Sequence, residues 1–470
     1  MAHVRVFRHY IHLPFAILGL LDFLSLVSTF YVATFFRFFG DVDLLLDSWT
    51  YVLPSAIVFG LTNLIVMLAL GVHQAHVEEG LSGLMLRTIM ALILSLPLST
   101  MAYLAFPDWL WYMSGDGVLA SASVFGFFLL GILRSIFFAL VGDDAFKRRV
   151  LVLGAGFRAN QLFDDLRSPL NRKGFTLLGF VPNQESKVEV PAKSVLNITG
   201  SLHDYAVKHA VDEIVVAVDD RRAGLPLEDL VECKMEGVYV LDGANFYERE
   251  SRKVALEMIT PSWLVFSDGF NLSSVSGFGK RAMDLVASLA LLAVASPFML
   301  LTTLAIKLED GWRAPILYSQ ERVGLNGKSF YVHKFRSMRP DAEKGGAVWA
   351  KKHDDRVTKV GAFIRKVRID ELPQIFNVIK GEMAFVGPRP ERPVFVEQLA
   401  EKIPYYNERH RVKPGITGWA QLCFAYAESE EDSREKLRYD LYYIKNQSLL
   451  LDLLIILQTV EVVLFKKGAH

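Results

Sequence analysis

Four apolar stretches in the first third of the chain constrain it most. Residues 13–39, 51–70, 88–106 and 118–141 are each around the ~20 residues needed to cross a bilayer's hydrocarbon core as an α-helix. Every backbone N–H and C=O in such a core must be satisfied within the protein, so four spanning helices are expected. The first stretch is too long for a cleavable signal peptide, and three similar segments follow it. Arg5 and Arg8 precede the first stretch, and Lys147, Arg148 and Arg149 follow the fourth. The connection between the third and fourth holds Asp108 and Asp116 without lysine or arginine. This asymmetry predicts that both ends of the bundle are cytoplasmic, although Arg37 falls at the outer end of the first span. Trp109, Trp111 and Tyr112 suit an outer interfacial belt. Arg134 falls inside the fourth span, near enough to its cytoplasmic end to snorkel.

At 470 residues the chain has room for two or three domains. Lysine plus arginine balance aspartate plus glutamate at 51 each, so the basic field of a nucleic-acid binder is missing and any anion site must be local. Cys233 and Cys423 have no CxxC or Cys/His spacing and read as free thiols of a reducing compartment, not ligands. After the basic triplet, Val150–Leu153 reads as a strand, and Gly154-Ala155-Gly156-Phe157-Arg158-Ala159 runs into a helix through Leu166. This Gly-x-Gly-x-x-Ala turn lets a pyrophosphate approach a helix N-terminus, making Gly154, Gly156 and Ala159 candidate cofactor-binding residues. Further strands at 176–181, 213–218 and 237–241 complete a Rossmann-like βαβ domain over about 148–245. Its second strand ends Gly179-Phe180-Val181-Pro182-Asn183, without the carboxylate that would hold a ribose, so an architectural or oligomerising role ranks above cofactor binding. Asp219-Asp220-Arg221-Arg222 reads as a solvated loop.

Lys280-Arg281 introduces a second hydrophobic region, Ala282 to Ile306, closed by Lys307. Its length suffices to span. Ser296-Pro297 near its middle offers another route: proline removes a hydrogen bond, and the serine hydroxyl can satisfy a freed carbonyl. The flanking cations suit one anionic leaflet. A re-entrant helix–break–helix and a plain kinked span both remain open from these residues.

Further on, Ile316–Gln320 and Ser329–Phe335 flank Asn326-Gly327 as a hairpin. Alternation puts Lys334 and Arg336 on one face, a two-cation patch for a diphosphate. A basic helix through Arg368 leads to Asp370-Glu371-Leu372-Pro373-Gln374, where Pro373 belongs to the first turn of a short helix ending at Gly381. That places two carboxylates at a helix mouth among Arg365, Lys366 and Arg368. Gly387-Pro388-Arg389-Pro390 and Lys413-Pro414-Gly415-Ile416-Thr417-Gly418 follow, rigid turns whose N–H groups and cations suit phosphate. A charged helix cap in a solvated network is the alternative for the carboxylates alone. The terminal helix, Leu449 to Phe465, has Ser448, Asp452 and Thr459 on one face and reads as an interfacial helix.

From about residue 278 to the end, the chain resembles the bacterial sugar transferase domain of monotopic phosphoglycosyl transferases, the polyprenyl-phosphate hexose-1-phosphate transferases. The motifs are Lys280-Arg281-x-x-Asp284, Ser296-Pro297, Arg322-x-Gly324-x-x-Gly327, Lys334-Phe335-Arg336-Ser337-Met338, Asp370-Glu371-Leu372-Pro373-Gln374, Gly387-Pro388-Arg389-Pro390 and Pro414-Gly415-Ile416-Thr417-Gly418. The whole chain looks like the long, exopolysaccharide-associated form. Gln447-Ser448 departs from the Trp-Ser often found before the terminal helix in this family.

The resemblance implies a membrane protein, α and α/β, on the cytoplasmic face of the bacterial inner membrane. A four-helix transmembrane bundle would occupy 1–145, a Rossmann-like domain 146–250 and a linker 251–277. A catalytic α+β domain with a re-entrant helix at 282–306 would fill 278–470. It implies transfer of a sugar-1-phosphate from a UDP-sugar to polyprenyl phosphate with release of UMP. Asp370 would be the nucleophile and Glu371 the Mg²⁺ ligand, with Lys334, Arg336, Gln374, Pro388, Arg389 and Lys413 around the phosphates. Ser296 and Pro297 would break the re-entrant helix. A homodimer is the expected assembly. Two rivals are a nucleotide-sugar dehydratase or epimerase, which needs a tyrosine four residues before a lysine that none of the 16 tyrosines has, and a polysaccharide-assembly scaffold.

Overall fold

The computed structural model describes residues 3–6, 9–37, 42–70, 72, 80–110, 117–140, 147–165, 175–183, 187–220, 225–259, 274–339, 356–424 and 429–465. The chain divides into two compact units, Met1–Ser251 and Arg252–His470.

The first unit opens with a short antiparallel pair, β1 (His3–Val6) and β2 (His9–His12), and four long helices: α1 (Leu13–Arg37), α2 (Val42–Ala69), α3 (Gly80–Ala105) and α4 (Val118–Leu140). Each of the four contains a window apolar and long enough to cross a membrane, as the hydropathy predicts. Helix α1 packs on α2 and α4, and α3 closes the ring against the same two. Leu26, Phe30, Phe59, Met67 and Leu130 fill the centre, while Leu20, Leu24, Leu104 and Phe128 point outward, an inversion natural where the surrounding medium is as apolar as the core. Trp109 is exposed; Trp111 and Tyr112 lie outside the described residues.

Arg134 does not snorkel. It is fully buried and pairs with Asp22 of α1, Nη2 to Oδ2 at 2.7 Å, and also donates to the Thr88 hydroxyl of α3. A charge held inside the bundle is tolerable only with a partner, and Asp22, 112 positions away in sequence, is supplied by the fold. Ser95 donates to Asn63 at 2.6 Å, a second polar tie between α3 and α2.

A four-stranded parallel sheet follows, with β3 (Arg148–Leu153), β4 (Phe175–Val181), β5 (Glu213–Val216) and β6 (Tyr239–Asp242) in the order β4-β3-β5-β6. Helices α5 (Phe157–Asp165), α6 (Leu202–Lys208) and α7 (Leu227–Met235) connect the strands, and α8 (Gly243–Ser251) ends the unit. The strands match the expected positions, and the sheet core is Leu151, Leu153, Ile214 and Val218 with the thiol of Cys233. Both cysteines are free.

The expected linker at 251–277 proves to be structured at its start. Val254 donates to the Arg438 carbonyl at 3.0 Å, Trp419 Nε1 donates to the Arg252 carbonyl at 2.9 Å, and Val254 and Leu256 enter the core of the second unit. Residues 260–273 lie outside the described set.

Helix α9 (Ser274–Asp310) is a single 37-residue helix that continues through Pro297, where a helix–break–helix was expected. The Ser296 hydroxyl donates to the Ala293 carbonyl at 3.2 Å, the acceptor that the missing N–H of Pro297 leaves free, which keeps the turn satisfied. Residues on both arms of α9 contact the rest of the second unit. Near its start, Lys280 donates to the Val386 carbonyl at 3.0 Å, and Asp284 accepts from the Phe385 N–H at 2.9 Å. Near its end, Ile306 packs with Phe335 and Ile364, and Glu309 accepts the N–H groups of Lys359 and Val360 at 2.8 and 3.0 Å. Between these anchors Leu289, Val294, Leu300 and Leu301 are exposed.

The second unit continues with the hairpin β7 (Leu317–Val323) and β8 (Ser329–Phe335). Its turn uses left-handed Asn326 and Gly327, as the Asn-Gly pair predicts. Then come α10 (Lys359–Lys366), α11 (Gln374–Lys380), β9 (Ala384–Val386), α12 (Pro393–Lys402), β10 (Gly415–Thr417), α13 (Trp419–Cys423), α14 (Glu430–Asn446) and α15 (Leu449–Phe465). Helix α15 turns its polar residues into the protein rather than toward water. Asp452 meets Lys280 at 2.9 Å and Tyr443 at 2.7 Å, and Thr459 meets Thr417 at 2.7 Å. Gln447 Nε2 donates to the Tyr443 hydroxyl at 3.2 Å, seating the residue that departs from the usual tryptophan.

Removing one member of the Asp22–Arg134 pair strands the other in an apolar core. Asp22→Ala is expected to destabilise the bundle by on the order of 3–5 kcal/mol, and the double change Asp22→Ala, Arg134→Met to recover most of it, read by thermal unfolding in detergent.

Candidate active site

Asp370 and Glu371 lie in a 3₁₀ turn, Ile369–Glu371, between α10 and α11. Helix α10 ends at Lys366, two residues earlier than expected, and Arg368 adopts left-handed backbone (φ 60°, ψ 16°). This costs a non-glycine residue on the order of 1 kcal/mol and reverses the chain so that Asp370 is carried inward, only 8% exposed. Pro373 caps α11 instead of entering it, with Gln374 buried as the first helical residue. A proline there sacrifices no hydrogen bond, because the first N–H groups of a helix have no partner within it.

Glu371 is the hub. Its Oε1 accepts from Lys334 Nζ of β8 at 3.0 Å and Arg389 Nη2 at 2.5 Å, and its Oε2 lies 3.4 Å from Arg389 Nη1 and 4.0 Å from Arg368 Nη1. Burial opposes ionisation, but Arg389 and Lys334 outweigh it and hold the Glu371 carboxyl well below the usual carboxylate range. Glu371 in turn raises the Arg389 guanidinium. Burial lowers the Lys334 ammonium, only partly opposed by Glu371. Asp370 behaves oppositely: burial and then the Glu371 charge raise its carboxyl against Lys334, Arg365 and Arg389. Its Oδ1 is buried with no hydrogen-bond partner among the described residues. The adjacent carboxylates are thus one tightly clamped anion and one unclamped oxygen.

Arg336 and Lys334 do not form a two-cation face on Glu371. Strand β8 ends at Phe335, the Arg336 N–H bonds the Ile316 carbonyl, and the guanidinium pairs with Asp310 at the end of α9, so the expected alternation stops one residue short. Arg336 still keeps Nε and Nη1 buried without hydrogen-bond partners among the described residues. Lys413 is also placed elsewhere: its Nζ lies with Arg281 beside Gly381, the left-handed cap of α11. Arg281 donates to the Val378 and Ile379 carbonyls at 2.7 Å each, so these cations serve the negative end of α11, opposite the carboxylates.

The two Gly/Pro motifs form one structure. β9 and β10 pair in parallel, the Gly387 N–H donates to the Thr417 carbonyl at 2.9 Å, and the Gly415 N–H donates to the Pro388 carbonyl at 2.9 Å. A β-carbon on Gly387 would overlap the Lys413 carbonyl, and one on Gly418 would overlap the Gly387 carbonyl. The turn thereby aims Arg389 at Glu371. Beside it Gly324, Pro388, Arg389, Arg409, His410 and Pro414 line a small cleft. Burial, with help from Arg409, lowers the His410 imidazole to about 4, leaving it neutral. Sequence reading missed Arg409 and Asp440, neither of which belongs to a motif.

Among the described residues no group of three or more His, Cys, Asp or Glu side chains is arranged to hold a metal. Mg²⁺ binds through as little as one carboxylate plus substrate phosphates, and Glu371, held ionised by Arg389 and Lys334, is a carboxylate of the charge such a site needs.

The Gly154 turn tells a different story. Asp219 is an exposed loop residue, as expected, and its carboxylate accepts the N–H groups of Phe157 and Arg158 at 2.9 and 2.8 Å, at the helix terminus where a pyrophosphate would sit. A β-carbon on Gly156 would overlap that carboxylate, and the Glu189 N–H covers the turn by bonding the Ala155 carbonyl at 2.8 Å. Gly154 (φ 117°) is needed because the backbone just after β5 passes close at Ala217, and Ala159 is buried. The glycines accommodate the protein's own anion and backbone, so the residues present do not fit a dinucleotide. Arg221 and Arg222 lie outside the described residues.

Glu371 contributes stability above its unfolded pKa that is lost as pH falls through its depressed folded value, whereas the raised pKa of Asp370 makes its ionised form a cost that grows as pH rises. At neutral pH, Glu371→Gln is therefore expected to destabilise by on the order of 3 kcal/mol and Asp370→Asn to raise the unfolding midpoint, both read by thermal melts.

Residues 275–466 match the family model described as bacterial sugar transferase. A UDP-N-acetylgalactosamine-undecaprenyl-phosphate N-acetylgalactosaminephosphotransferase of Aeromonas hydrophila is 48% identical over 252 residues, 54% of this chain and 58% of that protein. An undecaprenyl-phosphate glucose phosphotransferase of Komagataeibacter xylinus is 33% identical over 332 residues, 68% of this chain and 60% of that protein. The chain thus spans less than two thirds of these two relatives. An undecaprenyl-phosphate galactose phosphotransferase of Salmonella typhimurium is 30% identical over 352 residues, covering 69% of this chain and 70% of that protein. With a clamped carboxylate pair carried on these motifs and a relative matched along most of its length, the chain belongs to the bacterial sugar transferase family.

Proposed function

We propose that this protein transfers a sugar-1-phosphate from a UDP-sugar to polyprenyl phosphate, the first membrane step of a surface polysaccharide pathway. The observation that carries the reading is the asymmetry of Asp370 and Glu371. A carboxylate attacks phosphorus best when it is not neutralised by its own ion pairs, while the charge around it is. Asp370, whose Oδ1 has no hydrogen-bond partner among the described residues, has the first property. Lys334 and Arg389, beside Glu371, supply the second.

In this mechanism an Asp370 oxygen attacks the β-phosphorus of the donor. A bond from that oxygen to phosphorus forms, the bond to the bridging oxygen breaks, and UMP leaves with the electron pair. A phosphate oxygen of the polyprenyl acceptor then attacks the same phosphorus, releasing Asp370 and forming the polyprenyl-diphospho-sugar. Lys334 and Arg389 orient the diphosphate. Mg²⁺, held by Glu371 and the phosphates, would supply charge neutralisation at the transferring group. The relatives named for N-acetylgalactosamine make UDP-N-acetylgalactosamine the first donor to test.

For α9 we favour re-entry from the cytoplasmic face of the inner membrane. Anchors near both ends bind the same unit, which a crossing of a ~30 Å core would prevent. Labelling of a cysteine placed near residue 310 from outside intact cells would refute this.

Asp370→Ala is expected to abolish UMP release across a panel of UDP-sugars, and Glu371→Gln to lower it at least ~100-fold. Labelled sugar-phosphate should be trapped on Asp370, and its recovery on another residue would sink the mechanism. Because Asp370 must be ionised, kcat/KM should fall with decreasing pH at a value above that of an ordinary aspartate. The loss of the Lys334 charge should set an alkaline limb below the ordinary lysine value.

A further inference from the structure

The Arg389 guanidinium meets Glu371 only while the Gly387–Pro390 turn is held in place, and two arginines, Arg409 buried and Arg322 half-buried, grip successive carbonyls of that turn. Arg322 Nη1 donates to the Pro390 carbonyl at 3.0 Å. Arg409 Nη2 donates to the Arg389 carbonyl at 3.0 Å and to Asp440 Oδ2 of α14 at 2.8 Å, while its Nη1 donates to the Tyr406 hydroxyl at 2.7 Å. Tyr406, Arg409 and Asp440 are 3%, 6% and 2% exposed. The Arg409 guanidinium also lies over the Tyr406 ring, 5.1 Å from its centroid. The 3₁₀ turn carrying Arg409, Tyr406–Arg411, is entered through Tyr405 in left-handed backbone (φ 62°). A buried ion pair is weak as a stabilising device, since apolar side chains of similar volume often do as well. An apolar substitute could pack there but could not hold a carbonyl.

We propose that Asp440, Arg409 and Tyr406 form a positioning relay, Asp440 orienting Arg409 and Arg409 fixing the backbone of Arg389, so that the Arg389 side chain closes on Glu371. The proposal rests on the function given above for the Asp370–Glu371 site. None of the three need touch substrate. Their effect reaches the chemistry through Arg389 alone, which separates the relay from a general contribution to the core.

A double-mutant cycle in the full-length protein tests this, with UDP-N-acetylgalactosamine, undecaprenyl phosphate and UMP release as readout. Asp440→Asn, which keeps shape but weakens the grip on Arg409, is expected to lower kcat/KM about tenfold with Arg389 present and less than about twofold in an Arg389→Ala background. Equal losses in both backgrounds, or no loss with Arg389 present, would overturn the relay. If Asp440→Asn does not fold, Tyr406→Phe carries the same comparison, with about a threefold loss expected against none. A second readout needs no turnover: thermal unfolding of the same four proteins. If Asp440 acts through the seating of Arg389 on Glu371, the losses of midpoint caused by Asp440→Asn and Arg389→Ala should be non-additive, and additive losses would overturn the relay. A wild type that releases no UMP from any UDP-sugar refutes the enzymatic reading, while this unfolding comparison still decides the relay.

Discussion

The clamp on Glu371 is the interaction on which the rest of the second unit depends. Bringing a carboxylate, an ammonium and a guanidinium together away from water is favourable only if each is paired at close range. The surrounding backbone is built to that tolerance. Arg368 accepts a left-handed conformation to turn the chain inward, and Gly387, Gly415 and Gly418 let two backbones meet where no β-carbon fits. The Lys334 strand is braced by Asn377, whose side-chain amide donates to the Tyr331 carbonyl at 2.7 Å. Strain at the carboxylates is offset by rigidity in the turns that face them.

The same rule, that buried charge is met by charge, organises parts far from this site. Arg134 finds Asp22 inside the helical bundle, and Asp452 of α15 finds Lys280 of α9. In the sheet domain, Glu213 sits between Arg148 and Arg249 at 2.6 and 2.7 Å, joining the strand starts to α8. Asp219 is a different case: exposed, its charge complements a helix terminus instead of a side chain and occupies a place that the glycine pattern alone would assign to a cofactor.

Motifs whose meaning lies in local geometry were legible. The four apolar helices, the order of the parallel strands along the chain, the Asn326-Gly327 hairpin and the carboxylate turn follow from periodicity, turn chemistry and the steric limits of proline and glycine. Errors fell where a side chain had a choice of partners. Lys334 and Arg336 share strand parity, yet the strand ends between them, and Asp310 takes the second. Lys413 belongs to a glycine-rich turn near the site but serves the far end of α11. The polar stripe of α15 has the spacing of a water-facing surface, and the protein itself covers it.

What the sequence by itself determined is therefore the set of elements and the chemical types gathered in each, because helix, strand and turn formation respond to neighbours a few residues away. Only the tertiary structure decided which charges meet. Asp440 and Arg409 are 31 positions apart, Lys334 and Glu371 37, and Asp22 and Arg134 112. No local rule connects such pairs, since a charge's partner is set by which groups the packed core excludes from water together. That selection divides two adjacent carboxylates into a clamped Glu371 and an unclamped Asp370.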